Sequence, residues 1–120
     1  MKTLLTFCLL ALSTCGWTQV GNDLEMYSVD GKKFTLVVAG QVINETPQSR
    51  VEIHDTPHDY LSDVVVRFED ESIPPLEYNT LLLSDPASSS KDPVAAVYRI
   101  IEKKGKYKVK FVSRSFKKKL

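Results

Sequence analysis

From Leu24 onward the chain alternates apolar and polar residues with a period of two, the spacing of a half-buried β-strand, and turn residues interrupt the pattern at short intervals. Leu24, Met26 and Ser28 alternate with Glu25, Tyr27 and Val29, and Asp30-Gly31 then gives a tight-turn signal. Phe34 to Ala39 is an apolar, β-branched run closed by Gly40, and Val42-Ile43 continues it briefly before Thr46-Pro47. Arg50 to His54 places Val51 and Ile53 on one face between charged neighbours. Leu61 to Phe68 is the clearest core strand, with Val64, Val66 and Phe68 facing one way and Asp63, Val65, Arg67 and Glu69 the other. Pro74-Pro75 can neither donate to a ladder nor extend a helix, so Glu69 to Pro75 reads as a loop. Glu77 to Leu83 resumes the strand pattern, and Asp85 to Pro93 is a polar loop.

The last two elements form a hairpin. Val94 to Ile101 leads into a turn at Lys103-Lys104-Gly105-Lys106, and Tyr107, Val109 and Phe111 return on one face. Lys106, Lys108 and Lys110 then occupy the opposite, wet face, and Ser113 to Leu120 reads as a frayed tail. A helix over Val94 to Lys104 is the one competing reading, and Tyr98, Ile100, Ile101 and the Gly105 turn favour a strand. The pattern predicts an all-β domain: a small antiparallel β-sandwich of about 7–8 strands, with an open barrel as the alternative.

The N-terminus breaks this pattern. Lys2 is followed by an apolar run from Leu4 to Leu12 broken only by Thr6, and then by the small residues Ser13, Thr14, Cys15 and Gly16. These are the three regions of a secretory signal peptide, predicted as a helix within residues 1–18 and leaving residues 19–120 as a single domain. The run is shorter than the about 20 apolar residues that span a bilayer, and no later segment approaches that length, so no transmembrane segment is expected after signal removal. Leu12-Ser13-Thr14-Cys15 also resembles a bacterial lipobox, although Thr14 stands where that motif wants Gly, Ala or Ser. Export to the periplasm or medium is the expectation, and a lipoprotein anchored through Cys15 is the alternative. Both cysteines, Cys8 and Cys15, fall in the leader. The domain is therefore expected to hold together by apolar burial and backbone hydrogen bonds, without disulfides.

Several stretches together carry a resemblance: Leu24-Glu25-Met26-Tyr27-Ser28-Val29-Asp30-Gly31-Lys32-Lys33-Phe34, Leu36-Val37-Val38-Ala39-Gly40, Glu45-Thr46-Pro47, Val65-Val66-Arg67-Phe68-Glu69-Asp70, Val97-Tyr98-Arg99-Ile100 and Lys104-Gly105-Lys106-Tyr107-Lys108-Val109-Lys110-Phe111. In order and spacing they resemble the N-terminal β-domain of uncharacterised secreted proteins of Gram-negative bacteria, and the early part is similar to a PEGA-type β-sandwich module. The helical C-terminal domain that often follows in such proteins has no counterpart in this sequence. The resemblance implies a fold and supplies no catalytic residues.

Candidate chemistry is sparse. His54-Asp55-Thr56-Pro57-His58-Asp59 groups two imidazoles with two carboxylates, a donor set suited to a divalent transition metal. On a continuous strand His54 and His58 would stand about 13 Å apart, so a shared ion needs a tight turn at Thr56-Pro57; an ordinary solvated turn explains the same residues. Glu69-Asp70-Glu71 offers oxygen ligands but lacks the spacing and glycine of a calcium loop. No Gly-x-Ser-x-Gly turn and no glycine-rich phosphate loop occurs. Asn44-Glu45-Thr46 matches a glycosylation sequon by coincidence, disfavoured by the following Pro47. The expectation is a protein that is not an enzyme and uses no cofactor.

Charge adds the most. Residues 19–90 carry 4 basic and 13 acidic residues, whereas residues 91–120 carry 11 basic and 2 acidic ones, so a nearly neutral chain is divided into a −9 and a +9 part. One reading pairs the basic C-terminal strands with acidic neighbours across the sheet. The other makes Lys104, Lys106, Lys108 and Lys110 a binding strip, extended by Arg114 and Lys117 to Lys119, for an envelope protein or an anionic surface. Nucleic acid is not expected, because export removes the usual target and no aromatic platform interleaves the lysines. The function that follows is an exported, non-catalytic structural or interaction module of the cell envelope or secreted fraction. The alternative is a small-ligand or glycan-binding β-domain using Tyr27, Tyr60, Tyr78, Tyr98 and Tyr107, and a metal-binding protein or enzyme built on His54 and His58 ranks behind both.

Overall fold

The computed structural model describes residues 21–87 and 92–117. The expected signal peptide, Cys8, Cys15, Lys118 and Lys119 lie outside them. The described residues form eight strands: β1 (Asn22–Ser28), β2 (Phe34–Val38), β3 (Gln41–Val42), β4 (Arg50–Thr56), β5 (Tyr60–Phe68), β6 (Leu76–Leu82), β7 (Val94–Lys103) and β8 (Lys106–Phe116). They form two four-stranded sheets, β4-β1-β7-β8 and β3-β2-β5-β6, which face each other without closing into a barrel. The fold is an all-β sandwich. Its pairings are antiparallel except for β1 with β7, which run parallel with Leu24 opposite Ala96 and Ser28 opposite Ile100.

The core lies between the sheets. Leu24, Met26, Val51, Ala96, Tyr98 and Ile100 bury their side chains from the first sheet. Phe34, Leu36, Val64, Val66, Phe68 and Leu81 meet them from the second, joined by Leu61 and by Leu83 just past β6. Burying one such large side chain is worth about 1.5–3 kcal/mol, so this layer supplies the cohesion that a domain without disulfides needs. On β5, Leu61 and Val64 are both buried although three residues apart, because Asp63 between them takes a left-handed backbone (φ 50).

The turn signals mark two different events. Ala39-Gly40 and Lys104-Gly105 are two-residue hairpin turns, with φ 51 and 81 at the first and 54 and 78 at the second. Left-handed geometry at both central residues matches the strand twist. Asp30-Gly31, by contrast, carries the chain from the first sheet into the second. There the Gly31 amide donates to the Ser28 carbonyl at 3.3 Å, and the Ser28 hydroxyl donates to the Lys32 carbonyl at 2.8 Å.

The frayed tail expected from Ser113 is corrected over Ser113 to Lys117. β8 continues to Phe116, pairing Ala96 with Arg114 and Val94 with Phe116, and the Lys117 amide donates to the Pro93 carbonyl at 3.0 Å. The alternation was hidden by a bulge. Tyr98 pairs with Phe111 and Val97 with Ser113, so Val112 is an extra residue that shifts the phase of everything after it.

Candidate functional site

β8 is an edge strand whose sole sheet neighbour is β7, and the register fixes which side chains share a face. Residues paired across an antiparallel ladder point to the same side. Lys106, Lys108 and Lys110 therefore lie on the outer face beside their partners Lys103, Ile101 and Arg99. Successive lysines along β8 are about 7 Å apart. Two of the three cross-strand pairs, Lys103 with Lys106 and Arg99 with Lys110, set cation against cation, an arrangement that destabilises a sheet. Lys104 adds a further charge at the turn. Among the described residues, none of these six cations forms an ion pair.

Acid–base pairing across the first sheet happens elsewhere, on β1 and β4. Arg50 Nη1 lies 3.0 Å from Glu25 Oε2 and stacks over the Tyr27 ring at 5.4 Å. The expectation that the basic strands pair with acidic neighbours is thus corrected for Lys104 to Lys110: β7 stands between β8 and the acidic β1, and among the described residues no strand pairs with the other edge of β8. Lys117 is the exception. Its Nζ donates to the Gly21 carbonyl (2.9 Å), Asp23 Oδ1 (2.9 Å) and Asp55 Oδ1 (2.8 Å). Burial alone would push the Asp23 carboxyl up, but the bonds from Lys117, the Asp55 amide and His54 outweigh it and hold it below its ordinary value. The Lys117 bond likewise lowers Asp55, and the two carboxylates raise Lys117. Arg114 also leaves the expected strip. Past the bulge it sits on the inner row, where its Nε donates to the Leu83 carbonyl at 2.6 Å.

The structure brings His54 to carboxylates. His54 Nδ1 lies 3.4 Å from Asp23 Oδ2, and its Nε2 lies 3.1 Å from Glu52 Oε1. His58 stands on the crossover to β5, where its carbonyl accepts from the buried Asn22 Nδ2 at 2.8 Å. In the Glu69-Asp70-Glu71 loop, Asp70 Oδ1 accepts from both the amide and the hydroxyl of Ser72, a turn cap that lowers its pKa. Among the described residues no three His, Cys, Asp or Glu side chains converge as metal ligands.

The chain matches no protein-family model, no curated protein and no solved structure. Its surface has to be read from its own chemistry.

A second feature was not legible from the alternation: the seam where edge strand β6 passes edge strand β8. Tyr78 bridges it by accepting the Val109 amide at its hydroxyl (2.9 Å), and the Tyr98 hydroxyl donates to the Leu82 carbonyl (2.7 Å). The seam opens on either side of this bridge. Toward the hairpin tip, Ile73, Pro74, Leu76, Lys106 and Tyr107 line a cleft of about 500 Å³. Tyr107 is fixed there by donating to Asp30 Oδ2 at 2.9 Å, and that bond, reinforced by burial and nearby carboxylates, pushes its pKa up to about 12. Toward the other end, Ser84, Asp85, Phe111, Arg114 and Phe116 line a cleft of about 470 Å³ together with Asp92. Tyr78, Tyr98 and Tyr107 thus serve the seam, whereas Tyr27 lies under Arg50 on the outer face. The seam escapes sequence reading because it depends on which strands become edges.

Proposed function

We propose that the protein is an exported, non-catalytic interaction module of the cell envelope or secreted fraction, which docks on an anionic surface through the outer face of the β7–β8 hairpin. The observation that carries this reading is the pair of like-charge contacts, Lys103 with Lys106 and Arg99 with Lys110, none of whose four cations forms an ion pair among the described residues. Such pairs cost stability in the free protein and are relieved when anions cover them. The leader-like N-terminus and the resemblance to secreted β-domains support the compartment.

The test is sedimentation with lipid vesicles. The protein is expected to pellet with vesicles containing phosphatidylglycerol, to remain soluble with pure phosphatidylcholine, and to be released by high salt. A basic side chain near an anionic surface contributes about 1 kcal/mol, so a Lys106→Gln, Lys108→Gln, Lys110→Gln variant should bind roughly a hundredfold more weakly. An acidic polysaccharide such as heparin, tried in parallel, separates lipid headgroups from glycan as the source of the anions. Equal binding by wild type and variant, or binding to neither anionic probe, would sink the proposal.

A further inference from the structure

On either side of the Val112 bulge, β8 sets Phe111, Arg114 and Phe116 on its inner row, by the end of β6 at Leu82. Phe111 and Phe116 remain 48% and 60% exposed there. Two phenyl rings left this open beside a cleft are a cost to a water-soluble fold unless a ligand covers them. The guanidinium of Arg114 is built in: its Nε is held by the Leu83 carbonyl, and it stacks on the Phe111 ring at 4.7 Å, while Tyr98 meets the same ring edge-on at 5.5 Å. Asp85 is fixed too, its Oδ1 accepting the Ala87 amide at 2.9 Å.

We propose that this cleft binds a neutral saccharide ring. A planar apolar or aromatic ligand would cover the terminal N–H groups of Arg114 and the second carboxylate oxygen of Asp85 without bonding them. An anion would meet the carboxylate of Asp85, and a cation would meet Arg114. A pyranose satisfies every wall. Its axial C–H edge, weakly positive, rests on the negative face of Phe116; its hydroxyls donate to Asp85 and accept from Arg114. The volume of about 470 Å³ lies in the range of small-molecule pockets and accommodates one or two sugar rings. This site is separate from the basic face, which lies on the outer side of the same hairpin.

The test is amide chemical-shift mapping on the whole protein with glucose, galactose, mannose, N-acetylglucosamine, maltose and cellobiose. At least one sugar is expected to move the amides of Phe111, Arg114 and Phe116 while leaving Lys106 and Lys108 in place. Phe116→Ala, at an exposed position that folding tolerates, should weaken that sugar at least tenfold, and Phe116→Tyr should retain it within a few-fold. The proposal is overturned if none of the six sugars moves these amides, or if Phe116→Ala binds as well as wild type. It is equally overturned if sodium acetate moves them as strongly, or if they shift with protein concentration alone, as they would for a second copy. Vesicle binding is indifferent to all of these outcomes, so the two readings fail independently.

Discussion

The side chain of Asn44 takes the place of a strand beside β2. Its Oδ1 accepts the Leu36 amide at 2.8 Å, and its Nδ2 donates to the Phe34 carbonyl at 2.9 Å and the Thr46 carbonyl at 3.1 Å. β3 is only two residues long, so these bonds extend the pairing of β2 after the ladder has ended. Asn44→Ala should therefore destabilise the fold by about 1–3 kcal/mol, measured by urea unfolding, a large effect for a residue in a loop. A change confined to a few tenths of a kcal/mol would show that water replaces the side chain. In the sequence, Asn44 stood out only as part of a glycosylation sequon. Its real role was illegible because the two partners are fixed by the Ala39-Gly40 turn, which folds the chain back to bring residue 44 alongside residues 34 and 36.

At the level of elements, the alternation of Lys106 to Phe111 gave the right faces, since a strand of period two leaves little choice. What the alternation could not reveal was the partner of each lysine. Charge opposite charge is set by register, and register here follows from the two-residue turn at Lys104-Gly105, which places Lys103 against Lys106. Lys106→Glu converts that repulsion into attraction. It should stabilise the hairpin by about 0.5 kcal/mol in thermal or chemical melts while weakening the attachment to phosphatidylglycerol vesicles. A variant that gains stability and loses binding together would mark the basic face as kept for contact at the expense of the fold; a loss of stability would show the like-charge pair to be harmless. The same strand shows where pattern reading stops. One bulged residue, Val112, moved Arg114 from the basic strip to the cleft and turned the start of an apparent tail, Ser113 to Phe116, into four more residues of ladder.

For the molecule as a whole, the sequence carried the two-layer fold because its inner rows are apolar on nearly every strand, and a face that alternates so regularly must be buried. The parallel contact of β1 with β7 and the closing contacts of Lys117 were not legible, since they join residues 62 to 96 positions apart with no local signal. Those closing contacts set the pH response. Asp23 and Asp55 are held below their ordinary 3.8, so their contribution is complete above that pH and is lost as pH falls through the lowered values. Lys117 is raised above 10.5, so its contribution is complete below that pH and is lost as pH climbs past the raised value. Lys117→Met should lower the melting temperature at neutral pH and make the acid-side decline shallower, because Asp23 and Asp55 then lose the bonds that depress them and their contribution below pH 3.8 has less to give up. Melting curves recorded from pH 2 to pH 7 test this, and identical acid limbs in both proteins would rule it out.

The grip of Lys117 on Gly21 also gives the body a direction. Gly21 and Lys117 lie at one end of the sandwich, because β1 and β7 start there and β8 finishes there. The Lys104 turn stands at the other end, a strand length of about 30 Å away. Anything that moors the protein by the Gly21 end holds it as a post, with its charged tip projecting away from the point of attachment and free to reach across a gap of that width.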